Sequence, residues 1–378
     1  MLSPRFAADA STLAPVAALA RVAKHAGLGE PEPLLAALAA LGASAEDAAE
    51  RLRAHHLVRL VHARLPEEAL RARLPAALVD ALASRRPIQR LPVTTLLAAF
   101  DEVRAACAAA GVPLLLLKGF VFAERLYGGL ERRPQHDVDV LVRRRDRRRA
   151  LRLLRGLGFA PKAYDLHSRT LVREGVAIDL HHVLRRAPAF ALDEAELWRS
   201  ATEQPVGARR VATLSDEHTL VLLVLASFED LGQGMVKLKQ LLDLYLLLRA
   251  VDPGFDWEGF FARRERENLA AVAAHVLALV ATLFETAAEL PELSAALARR
   301  RWQPLPVSRE EALALVGAAR KDVASLAWFG RVYPGSLWLH LLWFWAGGFP
   351  ANLRNLGPAW LGSLGKLAAS RAAPGGGR

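Results

Sequence analysis

The chain has 378 residues, 53% of them hydrophobic, which excludes disorder along most of its length and leaves room for two or three domains. Its single cysteine, Cys107, excludes an intrachain disulfide, and no Cys or His cluster has zinc spacing, so any metal is expected to be oxygen-bound. The formal charge of +11 favours polyanionic partners such as nucleotides, nucleic acid or anionic lipid, although abundant arginine with heavy alanine and leucine usage is also what codon bias in a GC-rich genome produces.

Residues 8 to 110 read as helices. Ser11 and Ser44 are candidate N-caps, and apolar spacings of three and four recur, as in Leu52, Leu57, Leu60 and Val61. Arg5 and Asp9 precede Pro15 without a continuous apolar run, which argues against a cleaved signal and for a cytoplasmic location. At Val112 the pattern changes to short apolar runs alternating with helical stretches: a strand at 113–117, a helix, a strand at 137–142, a helix, then a hairpin in RTLVREGVAIDLHHV with its turn at Glu174 and Gly175. From Ser215 the reading is helical again, with Leu238, Leu241, Leu242 and Tyr245 on one stripe.

Beyond Pro334 the chain mixes Trp338, Trp343, Trp345 and Trp360 with Gly and Pro, and the PGGGR end is expected to fray. The stretch SLWLHLLWFWAGGF fits a peripheral membrane contact, a packed helix or a dimer surface. The longest apolar runs, Thr219 to Phe228 and Ser336 to Gly347, fall short of the roughly 20 residues a bilayer crossing needs, so no transmembrane span is expected. The fold class is therefore α+β: a small mixed-sheet core at 111–212 between an N-terminal helical region at 1–110 and a helical domain at 213–333, followed by a Trp-rich segment at 334–378.

Asp137 and Asp139 open the run DVDVLV. Period-two alternation points both carboxylates to one face of a strand otherwise built from Val138, Val140, Leu141 and Val142. Two like charges side by side repel, and a hard divalent cation bridging them reverses the sign of the interaction. Asp179, in VAIDLH, adds a third carboxylate if its strand pairs beside DVDVLV. Three carboxylates suit two Mg²⁺ ions, one activating an attacking oxygen and the other steadying a leaving group. The competing reading is that each aspartate ends a strand or pairs with one of many arginines.

Lys118 and Gly119 close the LLLL strand and open a helix. Glycine admits a phosphate close to the backbone, the helix N-terminus presents N–H groups, and the lysine adds a point charge, which together cradle a triphosphate. Arg133, four residues before Asp137, either clamps phosphate or holds its loop by pairing with an acid.

The ordered combination of LLLLKG, a loop arginine in RPQHDVDVLV, and IDLHH resembles the uncharacterised bacterial nucleotidyltransferases of the polymerase-β-like superfamily, over roughly residues 110 to 250. The resemblance implies a polymerase-β-like core in which Asp137 and Asp139 bind both metals, while Asp179 completes the site and helps activate an acceptor hydroxyl. Lys118 and Gly119 fall where the wider superfamily has a Gly-Ser phosphate turn, which removes a serine contact to the triphosphate, and His136 stands where a small Ser or Gly is common. VKLKQLLDLYLLLR is similar to the family's basic helix, which implies that Lys237 and Lys239 reach nucleotide phosphates; a solvated basic face over a leucine core is the alternative. Asp243 is expected to orient a basic neighbour or cap structure.

His181 shares a strand face with Asp179, as a proton-handling neighbour or a structural histidine, and His55 and His56 read as structural. The run RRRDRRRALRLLR holds eight arginines and one aspartate, either guiding an acidic or RNA acceptor or forming a solvated helix face. The combined expectation is a cytoplasmic Mg²⁺-dependent nucleotidyltransferase that moves NMP from a nucleoside triphosphate (NTP) to a hydroxyl acceptor of unknown type: small molecule, tRNA or protein. The rivals are a non-catalytic nucleotide-binding scaffold and a basic nucleic-acid-binding protein.

Overall fold

Strand β2 (Asp137–Val142) lies inside a seven-stranded mixed sheet and is buried on both faces from Val138 onward, as its near-continuous valine and leucine content requires. The computed structural model describes residues 10–41, 44–84, 91–133, 135–164, 168–184, 190–232, 236–299 and 308–317. Strand β1 (Leu114–Leu116) runs antiparallel to β2, with Leu116 opposite Val140. The crossover strand β5 (Val176–His181) runs parallel on the other side, with Asp139 opposite Asp179.

The expected hairpin is present: β4 (Ser168–Arg173) and β5 are joined by Glu174 and Gly175, both at positive φ, the two-residue turn whose twist matches the strands. Three strands lie outside the sequence reading. Strand β3 (Ala160–Tyr164) edges the sheet beside β4, while β6 (Thr202–Val206) and β7 (Arg209–Thr213) form a second hairpin that extends it past β1. Their residues, such as APKAY and TEQPV, carry weak strand propensity, and only pairing with an existing sheet recruits them.

Helices fill both ends of the described chain. Before the sheet come α1 (Ala10–Leu28), α2 (Pro31–Ala39), α3 (Ala45–Ala54), α4 (Val58–Arg64), α5 (Glu67–Arg73), α6 (Ala76–Ser84) and α7 (Val93–Ala109). Ser44 caps α3 by accepting from the Asp47 N–H at 3.2 Å; Ser11 falls inside α1 rather than ahead of it. Between strands lie α8 (Phe120–Tyr127), α9 (Arg147–Gly156) and α10 (Glu194–Arg199). After the sheet come α11 (Asp216–Gly232), α12 (Leu238–Val251), α13 (Trp257–Arg266), α14 (Ala270–Leu283), α15 (Pro291–Arg299) and α16 (Arg309–Gly317).

The stripe Leu238, Leu241, Leu242 and Tyr245 is fully buried, and α12 packs against α11, α14, α8 and α1. No described helix is long and apolar enough to cross a membrane. The Trp-rich segment 334–378 lies outside the described residues.

Helix α7 packs directly on β1, β2 and β5, and contacts from α4 and α1 tie the other N-terminal helices to α8 and α12. Arg64 donates to the carbonyls of Ala26 and Gly27 at the end of α1 and of Tyr127 at the end of α8, a cation placed where helix dipoles favour one. Gly27 lets α1 approach α12 closely, since a Cβ there would meet Leu242 Cδ1 at 2.6 Å. Gly27→Val is therefore expected to lower stability by about 1–3 kcal/mol through overpacking. Urea unfolding followed by circular dichroism reads this directly, and an unchanged midpoint would show that the α1–α12 contact is soft.

Candidate active site

The alternation of β2 sends Asp137 and Asp139 toward one face, and the parallel register with β5 sets Asp179 beside Asp139. Asp139 is 4% exposed, and its Oδ1 is 3.1 Å from His181 Nε2 and 3.3 Å from Lys118 Nζ. The lysine arrives there because the Leu117 N–H donates to the Asp139 carbonyl at 3.0 Å, which carries the chain past the end of β1 alongside β2.

Burial alone would raise the Asp139 carboxyl, but the Lys118 ammonium and the His181 hydrogen bond outweigh it and hold the group well below the usual carboxylate range. Asp137 goes the other way: burial and the neighbouring Asp139 charge push it up to about 6. One acid of the pair is thus a fixed anion and the other is easily protonated.

Ligand-capable atoms of Asp139, Asp179 and His181 all lie within 4.8 Å of one another, and the buried Asp179 Oδ1 has no hydrogen-bond partner. That orphaned oxygen beside an ionised carboxylate fits a divalent cation. The convergent trio contains His181 where three aspartates were expected; Asp137 sits one step along β2 on the cleft wall.

Gly119 turns the chain into α8 with φ 68° and ψ −103°, a conformation open to glycine and costly to other residues. Lys118, Gly119, Asp137, Asp139, Lys237 and Lys239 all line one cleft of about 460 Å³. The two lysines of the α12 start therefore share the cleft with Asp137 and Asp139, while Asp179 is not among its lining residues. Burial and the nearby Arg133 charge lower Lys239 to about 8.

Arg133 lines the same cleft, yet its guanidinium is committed. Its Nε and Nη2 donate to Asp243 Oδ1 and Oδ2 at 2.8 and 2.6 Å, and the cation lies 5.5 Å from the Phe122 ring centre. Tyr127 adds a third donor to Asp243 at 2.7 Å. Of the two roles open to Arg133, the geometry is that of loop holding, and Asp243 orients it as expected of that residue.

Arg53 and Arg59 of α3 and α4 and Gln135 of the segment entering β2 line the wall without any signal along the chain; His136 lines it beside Asp137, and His56, read as structural, lines it from the turn between α3 and α4. His55 Nδ1 accepts from the Leu238 N–H at 3.4 Å, and burial together with Lys237 lowers its pKa to about 4, which keeps it a neutral acceptor at the first turn of α12. None of the arginines from Arg143 to Arg155 lines the cleft; α9 buries Ala150, Leu151 and Leu154 and turns the remainder of the run outward or to partial exposure.

Removing Asp243 would strand the buried Arg133 charge. Asp243→Ala is expected to cost about 3–5 kcal/mol, whereas Tyr127→Phe, which leaves the ion pair intact, should cost about 1 kcal/mol. Chemical denaturation of both variants gives the comparison, and equal small losses would show that the pair does not anchor α12.

The model of a family described as uncharacterised nucleotidyltransferases matches residues 42–285, a span that runs from α3 through the sheet and the cleft-lining part of α12 to the end of α14. No curated protein and no solved structure matches the chain. The match covers well over half of the sequence and includes both walls of the cleft, and the chain belongs to this nucleotidyltransferase family.

Proposed function

We propose that the protein is a cytoplasmic, Mg²⁺-dependent enzyme that moves a nucleoside monophosphate from an NTP to a hydroxyl acceptor and releases pyrophosphate. The observation that carries this reading is the β2–β5 register: it sets Asp179 beside Asp139, which lines a cleft shared with Lys237 and Lys239. In the proposed chemistry the acceptor hydroxyl gives up its proton with the help of the Asp179 carboxylate, its oxygen bonds to the α-phosphorus, the α–β anhydride bond breaks, and pyrophosphate leaves.

Asp137, Asp139 and Asp179 would hold the divalent ions, which supply charge neutralisation along the triphosphate. His181 fixes the Asp139 carboxylate through its hydrogen bond. Lys118, the backbone at Gly119, Lys237 and Lys239 bind the phosphates, and Arg133 is held on Asp243 four residues ahead of Asp137. Catalysis on this account is positioning and electrostatic stabilisation.

Asp137→Ala and Asp139→Ala should each lower label transfer from radioactive NTP to a cell-extract acceptor by at least about a hundredfold, with unchanged circular dichroism. Full activity in both variants would sink the assignment.

The raised pKa of Asp137 also fixes a pH dependence. The folded state favours the protonated carboxyl, so in cation-free buffer this group's contribution to stability falls as pH rises from about 4 through about 6. Metal binding needs the ionised form, so Mg²⁺ stabilisation should be lost as pH drops through about 6, approaching one decade of affinity per pH unit below it. Thermal shifts with Mg²⁺ at pH 5, 6 and 7.5 measure this, and a pH-independent shift would exclude Asp137 as a ligand.

A further inference from the structure

Gln135 lines the cleft, is 8% exposed, and neither its Oε1 nor its Nε2 has a hydrogen-bond partner. A buried carboxamide left in this state carries the whole desolvation penalty of its donor and acceptor, which a methionine or leucine of similar volume would avoid. The residue stands between two fixed points of the chain. Two positions upstream Arg133 is fixed by Asp243, and two positions downstream β2 begins at Asp137.

The side chain lies against the Gly119 turn: a Cβ on that glycine would be 2.6 Å from Gln135 Oε1. Rotation about its terminal torsion presents either end of the amide. At this turn α8 starts, with the N–H groups of its first turn and the adjacent Lys118 favouring an anion. An amide N–H is the complementary neutral donor to a phosphate oxygen.

Building on the nucleotidyl-transfer reading, we propose that Gln135 is a phosphate-binding residue of the triphosphate subsite. Its Nε2–H donates to a non-bridging phosphate oxygen held at Gly119. The residue that binds substrate is thus supplied by the segment entering β2, across from the turn itself.

Isothermal titration of the full-length protein with Mg²⁺-tripolyphosphate, and separately with Mg²⁺ complexes of ATP, GTP, CTP and UTP, tests this in the wild type and in Gln135→Met and Gln135→Glu. The methionine variant should bind tripolyphosphate about tenfold more weakly, and the glutamate variant more weakly still through charge repulsion. The melting temperature of Gln135→Met should equal or exceed that of the wild type, because the replaced amide makes no bond in the folded protein.

Wild-type affinity of Gln135→Met for tripolyphosphate overturns the proposal. So does a loss confined to the nucleotides, which would assign the amide to the base or ribose, and so does a melting temperature several degrees lower, which would mark a structural amide. If the wild type binds neither tripolyphosphate nor any nucleotide, the nucleotidyl-transfer reading itself falls, and this proposal with it.

Discussion

The site depends on one buried ion pair. Arg133 and Asp243 are almost completely withdrawn from water, and the desolvation of two charges is repaid only because the contact is bidentate, Tyr127 donates to the same carboxylate and Phe122 lies under the cation. The pair spans the two halves of the cleft. Arg133 lies four residues before Asp137, and Asp243 lies one helical turn after Lys239, so the contact sets the distance between the acidic strand and the basic helix. A hydrophobic contact would hold the two segments together without fixing their relative rotation; the fork geometry of a guanidinium on a carboxylate fixes both.

Around this anchor the cleft keeps opposite charges close. Lys118 and His181 converge on one oxygen of Asp139, which stays ionised, while burial and the Asp139 charge raise Asp137 toward neutrality. On the facing wall Lys239 is lowered by burial and by Arg133. The structure therefore holds charged groups in states poised to respond to a triphosphate and its cations, since added anion favours protonated Lys239 and added cation favours ionised Asp137. The N-terminal helices take part through His55, whose neutral ring accepts from the first N–H of α12 beside Lys237.

Much of this could be read along the chain because it rests on local geometry. The shared face of Asp137 and Asp139 follows from the period of a strand, the turn at Glu174 and Gly175 from the need for two positive φ values, and the buried stripe of α12 from the period of a helix. The weak strands β3, β6 and β7 leave no clear pattern along the chain because their pairing energy comes from neighbours in the sheet.

By itself the sequence determined the α+β class, the acidic strand face and the glycine turn, all consequences of backbone stereochemistry within a few residues. Tertiary structure alone decided which acid Arg133 serves, that His181 joins Asp139 and Asp179, that the turn between α3 and α4 walls the cleft, and that Gln135 is buried without a partner. Those outcomes depend on groups separated by tens to more than a hundred residues meeting in a shared low-dielectric space, where the cost of an unpaired polar group or charge selects the arrangement.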